Sequence, residues 1–324
     1  MALMTKQDKI FIAGHNGMAG SAILNCFKQN GYENIITRSR NELDLMNARD
    51  VDNFFATEKI DVVILAAAKV GGIWANSNYP AEFIYNNLQI QNNVIWAAHK
   101  YDVHRLVFLG SSCIYPKECK QPIKEEYILT GTLEYTNKAY AIAKIAGIEL
   151  INSLRKQFKR DYFSVMPTNL FGPKDNYHPE NSHVIASLIK KFCEAKSNNS
   201  SEVIVWGDGS PLREFMHSEE LADAILFLSS KVSYDDFEES DLGKNNISHI
   251  NAGSGIEISI KILAYLIAEI VGFEGNIIFD VTKPNGTLRK IMDNSVIKNF
   301  GWNNSNNFKE LLTKTIYSFR ESVK

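Results

Sequence analysis

The chain has 324 residues, about twice the length of a usual single domain, so it carries ample apolar material for a buried core and is no small scaffold stapled by disulfides. Its 35 basic and 37 acidic side chains give a net charge of -2, which excludes a polyelectrolyte clamp for nucleic acid. The four cysteines (Cys26, Cys113, Cys119 and Cys193) form no CxxC pair, so free thiols of a reducing compartment are expected, with no metal site.

Lys6, Asp8 and Lys9 stand where a signal peptide needs apolar residues, and the longest apolar run, residues 62–75, is broken by Lys69 and two glycines. A cytoplasmic chain with no membrane span is expected. Five apolar, β-rich runs follow one another at residues 9–13, 35–37, 62–66, 106–110 and 163–167. Between them, residues 20–29, 48–58, 86–100 and 138–158 place apolar side chains at three- and four-residue spacing, the pattern of crossover helices. This alternation predicts an α/β fold built on a doubly wound parallel Rossmann sheet.

After Pro173 the pattern shortens. It predicts a helix over 183–195, a polar surface loop at 196–202, a strand at 203–206, a loop at 207–213, a helix over 218–229 and a strand at 247–252. A helix over 259–271, a strand at 277–280 and a helix over 308–319 follow. The expected division is an NADP-binding Rossmann domain over 1–172, to which 215–252 returns, and a second, smaller α/β substrate domain from 173–214 and 253–324.

Gly14-His15-Asn16-Gly17-Met18-Ala19-Gly20 joins the first strand to the first helix. In that position glycines permit a tight turn and let backbone N–H groups approach a pyrophosphate at the helix N-terminus. The second strand ends Thr37-Arg38-Ser39-Arg40, with Glu42 and Asp44 only beyond the tip. Two guanidiniums suit the 2′-phosphate of NADP(H) better than the ribose hydroxyl of NAD. Tyr140 and Lys144 stand at i, i+4 on a predicted helix, so they share a face. An ammonium there would stabilise phenolate and let Tyr140 exchange a proton with a carbonyl, to which Ser111 could also donate a hydrogen bond.

These features sit in longer blocks: Phe11-Ile12-Ala13-Gly14-His15, Ala66-Ala67-Ala68-Lys69-Val70-Gly71-Gly72-Ile73, Gly110-Ser111-Ser112-Cys113-Ile114-Tyr115-Pro116, Tyr140-Ala141-Ile142-Ala143-Lys144-Ile145-Ala146-Gly147, Pro167-Thr168-Asn169-Leu170 and Asn181-Ser182-His183-Val184-Ile185. With these blocks in register from Lys9 to about Lys290, the chain resembles the extended short-chain dehydrogenase/reductase family. The resemblance is greatest to members that convert GDP-4-keto-6-deoxy-D-mannose to GDP-L-fucose by NADPH-dependent 3,5-epimerisation and 4-reduction.

That resemblance implies Ser111, Cys113, Tyr140, Lys144 and His183 as catalytic residues, with Cys113 the base and His183 the acid of epimerisation. It implies that Leu109, Gly110, Ser111, Ser112, Lys144, Pro167, Thr168, Asn169, Leu170 and His183 border the cofactor, beside the glycine loop, Arg38 and Arg40. Lys191, Trp206, Arg213, Asn285 and Lys290 fall where the family contacts the nucleotide sugar, and a homodimer through helices of the dinucleotide domain is expected. Asn16, Lys191 and Asn285 depart from the arginine, arginine and aspartate common in relatives. The alternatives are another nucleotide-sugar epimerase or dehydratase, or a non-catalytic NADP-binding regulator. Ser112-Cys113 stands where a dehydratase usually has Asp-Glu, and a regulator need not keep Ser111, Tyr140 and Lys144.

Overall fold

Consecutive rather than alternating apolar residues build the main sheet, as expected where helices cover both faces. The computed structural model describes residues 3–178, 182–283, 285, 287–304 and 307–323. The chain begins with β1 (Ile10–Ala13), α1 (Met18–Gln29), β2 (Ile35–Ile36), α2 (Ala48–Glu58), β3 (Val62–Leu65), α3 (Ile73–Asn78), α4 (Pro80–Lys100), β4 (Arg105–Leu109), α5 (Lys138–Phe158) and β5 (Asp161–Pro167). Then come β6 (Asn169–Phe171), α6 (Val184–Ser197), β7 (Glu202–Trp206), β8 (Leu212–His217), α7 (Ser218–Lys231), α8 (Tyr234–Glu239), α9 (Asp241–Lys244) and β9 (His249–Ala252). The last part holds β10 (Glu257–Ser259), α10 (Ile260–Val271), β11 (Asn276–Asp280), β12 (Arg289–Lys290), α11 (Ser295–Asn299) and α12 (Phe308–Ser322).

Six parallel strands run in the order β2-β1-β3-β4-β5-β9. Their period-2 side chains part to two cores. Ile10, Ile12, Val62, Ile64 and Val107 pack under α1 and α7, while Phe11, Val63, Leu65, Leu106 and Phe108 pack under α2, α4 and α5. From β1 the chain first goes out to β2 and then crosses back to β3 on the other side, so the order reverses at β1. A crevice opens there at the carboxyl ends of the strands, where such sheets bind ligands.

Several boundaries differ from the sequence reading, each for a local reason. Pro80 starts α4 six residues earlier than the apolar spacing suggests, since proline suits the first turn of a helix. The expected loop at 207–213 ends as strand, because Leu212 and Arg213 pair with β10 and β12. β6 pairs with β8 rather than with the Rossmann sheet, so that sheet loses the chain at Pro167 instead of at 172. Farther on, Ile297 and Trp302 bury in the core under α1 and α7, although 253–324 was expected to lie wholly in the substrate region. The third core gathers α6, β7, α10 and α12 around Phe192, Val205, Leu263 and Ile316. Among the described residues no helix is long and apolar enough to cross a membrane.

Candidate active site

At the β1 end of the crevice, the glycine loop has the shape that a pyrophosphate requires. Gly14 has φ +91, and a Cβ there would lie 2.6 Å from the backbone nitrogen of Ala67, so β1 and the segment after β3 meet backbone to backbone. A Cβ on Gly20 would lie 2.1 Å from the Gly14 carbonyl oxygen, which fixes glycine where α1 packs against the loop. Asn16 and Gly17 are exposed at the mouth, with Met18 and Ala19 in the first turn. Gly17 caps α1 without a side chain, and the first turn holds no acidic residue, so its N–H groups and the positive end of the helix dipole are left for an anion. These features fit a dinucleotide.

His15 is lowered in pKa by burial, and its Nδ1 is buried with no partner among the described residues. Glu42 lies within electrostatic reach of it and accepts a 2.7 Å hydrogen bond from Ser39 N–H. The carboxylate expected beyond the strand tip thus folds back over it. Arg38 departs from expectation more sharply. Its guanidinium pairs with Glu58 of α2 at 2.6 Å and donates to the Thr37 carbonyl at 2.9 Å, whereas Arg40 is exposed and holds no ion pair among the described residues. Lys9 already shares Glu58 with Arg38, so the carboxylate on α2 draws Arg38 inward.

β4 ends at Leu109, and the chain then turns through Gly110, Ser111 and a single 3-10 turn at Ser112–Ile114. Gly110 N–H donates to the Val165 carbonyl at 2.9 Å, Ser112 is buried, and the Ser111 hydroxyl accepts from Cys113 N–H at 3.3 Å. Behind this turn, Tyr115 donates to Asn251 Oδ1 at 2.6 Å, and Glu125 accepts from Asn251 N–H at 3.0 Å. The turn is therefore braced from below by β9.

The i, i+4 pair on α5 faces this turn, but not as expected. Tyr140 hydrogen-bonds Ser111 and lies within electrostatic reach of Cys113; burial, with Cys113 a lesser cause, raises its pKa above the ordinary tyrosine value. Lys144 Nζ points instead at the Leu109 carbonyl, 2.7 Å away, and at the Phe108 face, 4.4 Å from the centroid. The expected ammonium–phenolate pairing is not what the geometry provides, because burial disfavours both charged forms. It holds Lys144 down to about 7.

One expected result follows. An unfolded lysine keeps its proton to about pH 10.4, whereas folded Lys144 loses it near 7, so the unfolded chain binds more protons between those values. The penalty of burying the ammonium is full below about pH 7 and is relieved as pH rises toward about 10.4. Lys144→Met should therefore raise the thermal midpoint without added nucleotide, by more at pH 6 than at pH 9. An equal gap at both would show that Lys144 does not titrate in this way.

Pro167 ends β5, and the next residues bridge to the smaller sheet. Thr168 N–H donates to the Ala252 carbonyl at 3.2 Å, Asn169 Nδ2 donates to the Glu214 carbonyl at 2.9 Å, and Leu170 pairs with Met216. His183 caps α6 in position only, since its side chain makes no capping bond. The residue is exposed to solvent, and partial desolvation lowers its imidazole pKa. Ser111, Cys113, Tyr140 and Lys144 are thus brought together, while no hydrogen bond or charge interaction among the described residues joins His183 to them. Asn181, which opens the block containing His183, lies outside the described residues.

The second sheet carries the cationic group. Arg213 on β8 and Lys290 on β12 are register partners, side by side on one face, with no carboxylate paired to either among the described residues. The contrast is with Arg289, which forms a two-pronged pair with Glu257 at 2.7 and 2.6 Å. Glu214, fully buried, accepts from Gly255 N–H at 2.7 Å and Met292 N–H at 2.9 Å, tying the segments on either side of this face together. Trp206 is 64% exposed and so no core residue, with Lys191 Nζ 5.5 Å and Lys283 Nζ 5.8 Å from its ring. Lys191 also donates to the Ile204 carbonyl at 3.1 Å. Asn285 Oδ1 accepts from Asp208 N–H at 2.9 Å and holds the β7–β8 loop, so that oxygen is already engaged.

Sequence reasoning missed Glu214, Lys283 and Asn137, whose Nδ2 donates to Cys113 Sγ at 3.2 Å. Only Asn137 had a signal, its place one helical turn before Tyr140.

Comparison with known proteins matches residues 10–239 to the NAD dependent epimerase/dehydratase family. The Putative GDP-L-fucose synthase 2 of Arabidopsis thaliana is 52% identical over 99% of this chain and 94% of its own length. The GDP-L-fucose synthase of Escherichia coli (strain K12) is 50% identical over 98% of both chains. Among solved structures, a GDP-mannoheptose C4 reductase from Campylobacter jejuni with NADP bound aligns with TM-score 0.89 at 36% identity, covering 98% of this chain and 99% of that one.

Proposed function

The chain belongs to the NAD dependent epimerase/dehydratase family, and from that premise we propose that it converts GDP-4-keto-6-deoxy-D-mannose to GDP-L-fucose by 3,5-epimerisation followed by NADPH-dependent 4-reduction. The observation that carries the reading is Cys113 in electrostatic reach of Tyr140, with Ser111 hydrogen-bonded to the same phenol. A carbonyl held by Ser111 and Tyr140 has a candidate base beside it. C3 and C5 both flank the C4 ketone, so one polarised carbonyl acidifies both positions.

Cys113 removes each α-proton as thiolate, and the enolate oxygen is held by the Ser111 and Tyr140 hydroxyls. His183 returns a proton from the opposite face, which inverts the carbon. Thiol and imidazole ordinarily titrate near enough to neutral, at about 8.5 and 6.5, to exchange protons in both directions. NADPH, when bound, supplies the hydride for C4. Tyr140 then gives its proton to the C4 oxygen, a role suited by the burial that keeps the phenol protonated. Lys144 and Pro167 to Leu170 would border the cofactor's nicotinamide ribose and ring, and the α1 N-terminus would take its pyrophosphate. Arg213 and Lys290 hold the substrate diphosphate, for which a guanidinium beside an ammonium is well suited. Exposed Trp206 offers its face to the base, flanked by Lys191.

The test is to mix the pure protein, NADPH and GDP-4-keto-6-deoxy-D-mannose, follow the nicotinamide absorbance and identify the sugar by NMR. One NADPH consumed per L-sugar formed is expected. A product of D configuration, or turnover without net cofactor oxidation, would overturn the reading.

Cofactor preference rests on Arg40, since Arg38 is engaged by Glu58. Arg40→Ser should lower kcat/KM for NADPH by roughly ten- to a hundredfold, the loss of one hydrogen-bonded charge contact, and leave NADH nearly unchanged. Equal losses with both cofactors would remove Arg40 from 2′-phosphate recognition. A cytoplasmic homodimer completes the proposal, supported by the exposed apolar side chains of Tyr85 and Trp96 on α4 and Ile142 and Phe158 on α5.

A further inference from the structure

We infer that Asn137 is a positioning residue for Cys113, its side-chain amide donating to the sulfur so that negative charge developing there is stabilised; the inference rests on the reading of Cys113 as the epimerisation base. Asparagine is among the best helix N-caps, because its side-chain oxygen accepts from the free N–H groups of the first turn. This chain uses it so at α2, where Asn47 Oδ1 accepts from Arg49 N–H at 3.1 Å and Asp50 N–H at 3.4 Å. Asn137 directly precedes α5 as the last residue of a 3-10 turn over Tyr135–Asn137, and its side chain makes no capping bond. Its backbone sits at φ -123 and ψ 15, and its Nδ2 reaches 24 residues back along the chain to Cys113 Sγ, at 3.2 Å. Its Oδ1 is buried with no partner among the described residues. The amide is thus spent on the sulfur and not on the start of the helix.

The direction of that contact carries the chemistry. A carboxamide has a donor end and an acceptor end, and a neutral thiol offers its S–H to an acceptor. Here the donor end faces the sulfur, the arrangement that suits an electron-rich thiolate, and hydrogen bonds to a charged partner are the stronger kind. The other titratable group facing the sulfur is Tyr140, on the next turn of the same helix. One turn of α5 therefore sets the donor to the base and the acid for the carbonyl at a fixed spacing. Cys113 N–H is already engaged by Ser111 Oγ, so backbone and side chain of the cysteine are each held by a separate residue.

The test uses Asn137→Ser and Asn137→Asp. Both residues are good N-caps, so the start of α5 is kept or improved while the amide donor is lost. Iodoacetamide labelling of Cys113 is followed across pH by peptide mass spectrometry, with partly exposed Cys119 as the control for reagent and access, and buried Cys193 as the control for folding. At neutral pH, Cys113 labelling should slow about tenfold in Asn137→Ser and further in Asn137→Asp, where a carboxylate faces the sulfur, and the pH profile should move upward. Cys119 and Cys193 should label as in the parent. Solvent deuterium exchange at C3 and C5 of the substrate should fall in parallel, with NADPH affinity unchanged. Unchanged Cys113 labelling in both variants overturns the inference. Slower labelling with undiminished exchange leaves Asn137 as the holder of the sulfur and removes Cys113 as the base, which separates failure of the mechanism from failure of the contact.

Discussion

Cys113→Ser is expected to abolish formation of the L-sugar while sparing hydride transfer. The hydroxyl keeps nearly the size of the thiol and can still accept from Asn137 Nδ2, so the 3-10 turn and its neighbours stay in place. What changes is the acid strength, because a serine hydroxyl does not ionise near neutral pH. Proton removal from C3 and C5 should fall by about 10² to 10⁴, the usual contribution of a general base. Ser111, Tyr140 and Lys144 are untouched, so slow reduction of the unepimerised ketone to a 6-deoxy sugar of D configuration should replace the normal product. Deuterium from solvent should no longer enter C3 and C5. His183→Gln should behave differently, since Cys113 can still exchange protons on one face while nothing returns them on the other. Exchange without inversion is its expected signature. If Cys113→Ser makes the L-sugar at the parent rate, the base lies elsewhere and the assignment of both residues is withdrawn.

Tyr140→Phe should lower reduction by roughly 10² to 10⁴ with NADPH binding intact. The ring remains against Phe83, at 6.3 Å between centroids in an edge-to-face arrangement, so packing is conserved and only the proton donor is removed. Ser111 alone then faces the developing alkoxide, and it lacks a proton that it can release near neutral pH. Single-turnover absorbance at the nicotinamide band measures the chemical step, and cofactor fluorescence titration measures binding. Parent-like turnover would take Tyr140 out of the mechanism; equal loss of turnover and of NADPH affinity would make it a cofactor contact instead.

The strands and crossover helices of the Rossmann sheet were legible because their physics is local. A continuous apolar run such as Val62–Leu65 has few ways to be buried other than as an inner parallel strand, and Ala48–Glu58 and Lys138–Phe158 carry helical spacing along their whole length. The glycine loop was legible for the same reason, since Gly14 and Gly20 answer to backbone contacts within a few residues of the β1–α1 turn and to the neighbouring strand. Short pairings were not. β6, β10 and β12 are two or three residues long and exist only because β8 lies beside them.

Residue spacing was enough to place the sheet, the crossover helices, the glycine loop and the residue types suited to proton transfer, because spacing along one element puts side chains on a common face. Which charges are available was decided only by tertiary structure. Arg38 and Arg40 look equivalent in the chain, yet Glu58, twenty residues after Arg38, takes one guanidinium and leaves the other. Tyr140 and Lys144 share a helix face, yet Lys144 Nζ donates to the Leu109 carbonyl from β4 and meets Tyr140 only at its ring, 5.8 Å from the centroid. Asn137 has the position of a cap, yet its amide is bonded to the sulfur of Cys113. Electrostatic and hydrogen-bond energies depend on separation and burial in space, and residues that are distant in sequence set both.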